Sequence, residues 1–137
     1  MIQIAICDDE ENSRGYLKQL LIKQREFIED CNNSEYEIQE FSSGQEVLNY
    51  KKEMDILFLD VDLKEEVSGM EVAKILRNRS TEHQPIIIFI SGHKEYVFDA
   101  FDVDALHYLL KPIDDEKFAK VFAKALSQLY TKTRNYV

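Results

Sequence analysis

The stretch that decides the fold is MDILFLDVD, Met54 to Asp62. Ile56, Leu57, Phe58 and Leu59 form an unbroken apolar run, and Asp60 ends it. A run without polar alternation, carrying a β-branched and an aromatic residue, suits a strand covered on both faces. Such strands belong to parallel sheets flanked by helices. Asp60 then lies at the carboxyl end of its strand, the edge of an open α/β sheet where ligands bind. A carboxylate set directly after a buried run costs desolvation free energy unless a partner compensates it. Asp60 is therefore either a helix cap or a working group.

Outward from this stretch, strands and helices alternate. Ile2 to Cys7 (IQIAIC) reads as a buried strand ending at Asp8 and Asp9. Asn12 to about Glu29 has helical spacing, with Tyr16, Leu17, Leu20, Leu21, Phe27 and Ile28 on its apolar face. Cys31 to Glu35 is a polar turn. Tyr36 to Phe41 (YEIQEF) alternates apolar and polar residues, which suits a strand at the edge of the sheet. Ser42 or Ser43 caps a short helix from Gly44 to Tyr50. Beyond the central strand, Leu63 to Val67 is a charged, solvated loop. Ser68 and Glu71 then form an S-x-x-E capping box for a helix to about Arg79. After a turn at Ser80 to Gln84, PIIIFI (Pro85 to Ile90) is the most apolar run in the chain. It reads as a central strand, with proline tolerated at its first position. It ends at Ser91 and Gly92. A short helix from Glu95 to Phe101 and a strand from Ala105 to Leu110 follow, and Lys111-Pro112 closes that strand. Asp114 caps a last helix with Phe118, Val121, Phe122, Ala125, Leu126 and Leu129 at helical spacing.

Five strands alternating with five helices imply parallel βαβ units with right-handed crossovers. The predicted fold is α/β: a doubly wound, flavodoxin-like three-layer sandwich with strand order 2-1-3-4-5, the amphipathic second strand at one edge. Residues 1–130 form one domain. TKTRNYV, Thr131 to Val137, reads as the start of a linker to an output domain outside the chain.

At 137 residues, 45% hydrophobic and 31% charged, the chain can bury a real core. No apolar run approaches the roughly 20 residues of a membrane span. The acidic N-terminus MIQIAICDDE has no basic region, so it does not read as a signal peptide, and a cytoplasmic location is expected. A net charge of −9 argues against nucleic-acid binding by this chain alone. Cys7 and Cys31 fit neither a disulfide framework nor a zinc site. His83, His93 and His107 share no metal-binding spacing.

The predicted fold gathers Asp8 and Asp9, Asp60, Ser91 with Gly92, and Lys111 at one edge of the sheet. Three anions in a partly desolvated crevice repel strongly. One hard cation relieves this, and carboxylates with water suit Mg2+. Lys111 neutralises part of the remaining charge. In such a setting a carboxylate can attack a phosphoryl group and keep it as an acyl phosphate. The requirements are in-line positioning and charge stabilisation at the equatorial oxygens. Lys111 and the Ser91 hydroxyl serve two of those oxygens.

These motifs resemble those of response-regulator receiver domains of two-component systems. ICDDE matches the family's acidic pair at Asp8 and Asp9, and FLDVD matches its phosphoacceptor segment. The resemblance implies Asp60 as acceptor and metal ligand, and the Asp62 backbone carbonyl as a further ligand. FISGH puts Ser91 at the family's Ser/Thr position, and HYLLKP puts Lys111 at its lysine, before a proline that often follows a cis peptide. The resemblance also implies a switch pair, Ser91 and Tyr108, with Tyr108 rotating inward on phosphorylation. Backbone N–H groups of Val61 and Gly92 are expected at the phosphate. EYVFDAFDVDALHYLLKPID, Glu95 to Asp114, is similar to receivers that precede a LytTR-type DNA-binding domain. The partners implied are a sensor histidine kinase and a second copy in a phosphorylation-dependent homodimer, with DNA reached only through an output domain. One departure stands out. The family usually has a proline four residues after the acceptor and a glycine eight after; here these are Lys64 and Gly69, one residue later.

Two other functions compete. FLDVD also resembles the D-x-D motif of haloacid-dehalogenase-type aspartyl-phosphate hydrolases, but there D-x-D follows the first strand and the acidic pair comes last. A receiver-like binding module that is never phosphorylated usually lacks one of the acidic pair, the acceptor or the lysine, and this chain keeps all of them.

Overall fold

The computed structural model describes residues 1–27, 36–64, 67–79 and 83–134. Ile28 and Glu29, the Cys31–Glu35 turn with its thiol, Glu65 and Glu66, and most of the Ser80–Gln84 turn lie outside the described residues. In chain order the elements are β1 (Ile2–Cys7), α1 (Glu11–Phe27), β2 (Tyr36–Phe41), α2 (Gly44–Asn49), β3 (Ile56–Asp60), α3 (Gly69–Asn78), β4 (Ile86–Ser91), α4 (Val97–Asp102), β5 (His107–Leu110) and α5 (Asp115–Arg134). The strands form one parallel sheet in the order β2-β1-β3-β4-β5. This is the doubly wound order that the alternation predicts. α5 runs to Arg134, four residues into the segment read as a linker.

The apolar runs have no polar alternation because both of their faces are covered. Successive residues of a strand point to opposite sides. Ile4, Ile6, Ile56 and Phe58 join Leu17, Leu20 and Leu21 of α1 and Phe118 and Phe122 of α5 in one core. Ala5, Cys7, Leu57 and Leu59 join Val47 of α2, Val72 and Ala73 of α3 and Ala100 of α4 in the other. β2 mixes buried and exposed residues because it lies at the sheet's edge, and the alternation read from the sequence breaks at Gln39 and Glu40: Tyr36 and Phe41 are buried, while Glu37, Gln39 and Glu40 are exposed.

Local chemistry starts the helices where the sequence marks them. Ser43 caps α2 by accepting from the Glu46 amide at 3.3 Å, and Ser42 instead donates to the Glu46 carboxylate at 2.7 Å. The Ser68 hydroxyl accepts from the Glu71 amide at 3.2 Å and donates to its carboxylate at 3.3 Å. Asp114 accepts from the Lys117 amide at 3.0 Å at the head of α5. α4 is short and has no side-chain cap. Its following turn passes through Asp104, at a φ of 53°. The Arg77 guanidinium fixes that turn, donating to the carbonyls of Val103 at 2.7 Å, Asp104 at 3.1 Å and Pro85 at 2.8 Å.

Phe58 lies behind the carboxyl edge, its ring stacked on Phe118 at 5.6 Å and tilted against Phe122 at 6.5 Å. Removing a buried aromatic costs both its transfer free energy and a cavity. Phe58→Ala is expected to lower stability by about 3–5 kcal/mol in urea titrations. A loss under ~1 kcal/mol there would mean that this aromatic cluster does not hold the α1–α5 layer to the sheet.

Candidate functional site

The order β2-β1-β3 reverses direction between β1 and β3, and the crevice at such a reversal is where doubly wound sheets bind ligands. Asp8 and Asp9 leave β1 there, and Asp60 ends β3. One carboxylate oxygen from each lies within 4.8 Å of the others. Asp8 and Asp60 are buried, and Asp9 is half-buried.

The backbone is shaped to hold these groups. The Asp8 carboxylate accepts from the Glu10 amide at 2.9 Å, which turns the chain into α1. The Asp60 carboxylate accepts from the Asp62 amide at 2.9 Å, which turns the chain out of β3. Gly69 closes the site from behind: a Cβ there would come within 2.0 Å of the Asp60 carbonyl oxygen. The Gly69 amide donates to the Val61 carbonyl at 3.2 Å. The displaced glycine of the longer loop brings the start of α3 against the end of β3, a close approach that only glycine permits.

Lys111, at the end of β5, reaches across to the acidic group. Its Nζ is 3.1 Å from an Asp8 oxygen and 3.4 Å from an Asp60 oxygen. The peptide bond from Lys111 to Pro112 is cis, as the resemblance implies. Burial pushes the Asp60 carboxyl up to about 6, with Asp8 adding to the rise, against the opposing Asp62 amide and Lys111. Burial works to lower the Lys111 pKa, but the two carboxylates more than offset it and the net shift is upward. Three acidic oxygens held together around one ammonium form a site that lacks positive charge, and oxygen donors of this kind suit a hard divalent cation.

The remaining expected residues are arranged less simply. Ser91 is fully buried at the end of β4, and its hydroxyl donates to the Asp62 carboxylate at 3.0 Å. The same Asp62 oxygen lies 3.2 Å from His93 Nε2. The His93 amide donates to Ser91 Oγ at 3.0 Å, and the His93 carbonyl accepts from the Tyr108 hydroxyl at 2.6 Å. His93 and the Asp62 side chain are therefore part of the site, although sequence reasoning gave the first no role and the second only a backbone one. No spacing signal marks either, because the contacts depend on how two loops meet. Tyr108 is already buried against Phe89, so the expected inward rotation has no outward ring to start from. Burial also holds its phenol above the ordinary pKa, outweighing the opposing effect of the Ser91 hydroxyl. The Val61 amide, expected at the phosphate, is donated to the Ile90 carbonyl at 3.2 Å as the sheet's last rung. A Cβ at Gly92 would meet nothing within 4 Å.

Residues 4–123 match the family described as the response regulator receiver domain. The chain belongs to the response regulator receiver family. It is 34% identical over 130 residues to the sensory transduction protein LytT of Bacillus anthracis, covering 93% of this chain and 48% of that protein. It is 34% identical over 126 residues to the transcriptional regulatory protein BtsR of Escherichia coli K12, covering 90% and 48%. The chain thus spans about half the length of the curated relatives it matches. The response regulatory domain of mrkE from Klebsiella pneumoniae superposes with a TM-score of 0.81 at 25% identity, covering 95% of this chain and 99% of that one. The chemotaxis regulator CheY4 of Vibrio cholerae shares the fold, with a TM-score of 0.73 at 21% identity over 91% and 98% of the two chains. Receiver domains of response regulators interact with histidine kinases, and the hydrolase and unphosphorylated-module readings are not favoured. Among the described residues, no helix is long and apolar enough to cross a membrane.

The raised Asp60 pKa carries a sign. Above about 6 the folded protein holds an ionised carboxylate that it solvates poorly, and this opposes folding. The penalty fades as pH falls through 6 and is gone below the unfolded value near 3.8. In metal-free protein at pH 7.5, Asp60→Asn is therefore expected to be more stable than wild type by about 3 kcal/mol, with the gap closing toward pH 4. Thermal melts across that range check it. A gap that widens on acidification would mean that the ionised Asp60 carboxylate stabilises the fold.

Proposed function

We propose that Asp60 is the phosphoacceptor of this receiver domain and that phosphorylation switches a transcriptional output. The observation that carries the reading is a buried carboxyl at the end of the central strand, with two further carboxylates within 4.8 Å and the Lys111 ammonium 3.4 Å away. Asp8, Asp9, Asp60 and the Asp62 carbonyl are the groups proposed to hold Mg2+. The bound ion supplies positive charge for the phosphoryl oxygens and for the ionised acceptor.

The protein's own groups do the rest. A phosphohistidine of a sensor kinase approaches the crevice beside α1. A cavity of about 290 Å3 there, lined by Asn12, Tyr16, Pro112 and Ile113, opens next to Asp8 and Lys111. An Asp60 oxygen attacks phosphorus in line. The P–N bond to the donor imidazole breaks, and its electron pair leaves with the ring, which takes up a proton from water. The product is an acyl phosphate on Asp60. Lys111 stays paired with one phosphoryl oxygen, and Ser91 donates to another. The role is that of a signalling phosphoacceptor in the cytoplasm, with only self-phosphorylation and slow hydrolysis as chemistry.

The output reading rests on relatives. LytT and BtsR are about twice as long as the matched segment, and the second is named a transcriptional regulatory protein. We infer a LytTR-type DNA-binding domain outside residues 1–137, with residues from Thr131 onward leading toward it. The surface that signals to it is proposed to be α4 and β5. On that face Phe98 and Phe101 are 81% and 75% exposed, and Tyr96 is partly exposed. Exposed aromatics this close together mark an interaction face, and a second copy of the phosphorylated domain is the proposed occupant.

Two measurements test this. Acetyl phosphate should label wild-type protein in the presence of magnesium and fail with EDTA. Asp60→Asn should not be labelled at all, and labelling of that variant at wild-type yield would remove Asp60 from the role. In sedimentation with beryllofluoride, wild type should self-associate, and Phe98→Ser/Phe101→Ser should weaken the dimer at least about tenfold while the mimic still binds. Equal association by both proteins would move the dimer to another face.

A further inference from the structure

The Ser91 hydroxyl has one proton, and in this structure the proton goes to Asp62. The Ser91–Asp62 bond is 3.0 Å long, and Ser91 is fully buried. The hydroxyl oxygen is also engaged as an acceptor, from the His93 amide at 3.0 Å. The hydroxyl therefore cannot donate to a phosphoryl oxygen on Asp60 without first giving up Asp62. Asp62 is not held by Ser91 alone. The same oxygen is 3.2 Å from His93 Nε2, while His93 Nδ1 lies 3.6 Å from Glu95. The Tyr108 hydroxyl is bound to the His93 carbonyl at 2.6 Å. The Asp62 carboxylate thus joins the acceptor loop after β3 to the loop after β4, and through His93 to the ring on β5.

We propose that the Asp62 side chain is a positioning residue that holds the resting state, by competing with the phosphoryl group for the Ser91 proton. This rests on the reading of Asp60 as the phosphoacceptor. Two acceptors share one donor, so any stability of the Ser91–Asp62 bond is subtracted from the affinity for a phosphoryl group. When the phosphoryl group takes the proton, Asp62 keeps only His93. The segment Ser91–His93, and with it the Tyr108 anchor, is then free to shift. The movement available at β5 is a change of partner by a buried tyrosine, not an inward rotation.

The test is a double-mutant cycle on the whole chain, titrating magnesium and beryllofluoride and following binding by NMR. Asp62→Ala keeps the backbone carbonyl and removes the competitor, so the mimic should bind at least about tenfold tighter than to wild type, the worth of one hydrogen bond to a charged group. In a Ser91→Ala background the same change should alter affinity less than about twofold. Asp62→Asn retains an acceptor oxygen without charge and should return the affinity most of the way to wild type. In the absence of the mimic, Asp62→Ala should also shift the amide resonances of His93 and Tyr108.

If Asp62→Ala tightens binding equally with and without Ser91, Asp62 acts only as a negative charge near the site and the proposal is overturned. It is overturned as well if Asp62→Asn binds as tightly as Asp62→Ala, or if Asp62→Ala is indistinguishable from wild type. Failure of the underlying reading looks different: wild type then shows no binding, or Asp60→Asn binds equally well, and both readings fall together.

Discussion

An ionised carboxylate at the end of a strand buried on both faces is the constraint around which this domain is arranged. β3 brings Asp60 out of the middle of the sheet with Phe58 and Leu59 directly behind it, so one side of the carboxylate faces a low-dielectric interior. Charge in such a place must be compensated or lost to protonation. The protein supplies the Asp62 amide and the Lys111 ammonium, then undoes much of that by adding Asp8. With burial as the largest effect, the net result is a carboxyl whose pKa is pushed up to about 6. Leaving the pocket short of positive charge creates a demand that a divalent cation can meet.

The same constraint explains why so much was legible in the sequence. A strand with both faces covered has to be apolar where it is covered, so IAIC (Ile4–Cys7), ILFL and PIIIFI announce themselves, and the position at which each run breaks is the carboxyl edge of the sheet. Asp8, Asp60, Ser91 and Lys111 are visible for that reason: each is the first polar residue after an apolar run. The edge strand β2 is visible because polar residues interrupt its apolar ones at Glu37, Gln39 and Glu40. Helix starts were legible wherever a side chain caps the backbone, as at Ser43, Ser68 and Asp114.

What was not legible depends on contacts between loops. Asp62 and His93 are 31 positions apart in the sequence, and nothing in either local pattern says that a carboxylate after β3 will meet an imidazole after β4. The Val61 amide illustrates the same limit: being next to the acceptor does not reveal that β4 supplies a carbonyl for it at Ile90. Tyr108 was readable as a strand aromatic beside the site, but not the side to which its ring turns, since that is decided by the His93 carbonyl. Gly69 is the opposite case. Its shift by one residue looked like a departure that could alter the site, yet the backbone contact with Asp60 is made all the same.

How a charge added at one edge could reach α4 follows from which parts are stiff and which are not. The sheet is fixed by paired strands and two packed cores, and the α4–β5 turn is pinned by Arg77 to the carbonyls of Val103 and Asp104. α4 itself has a single buried residue, Ala100, and no side-chain cap, so few contacts oppose its movement. Between the rigid edge and this loosely held helix lies the segment Ser91 to Tyr96, whose fixed points are the Asp62 carboxylate and the Tyr108 hydroxyl. If the phosphoryl group competes for one of these two points, as proposed, the exchange of that partner would separate two arrangements of the segment. That is the condition under which a local change of hydrogen-bond partner becomes a change of surface, because the equilibrium moves only by the difference in free energy between the two arrangements. The exposed Phe98 and Phe101 sit on the element with the least to lose by moving, which is where a signal generated at Asp60 can be read from outside.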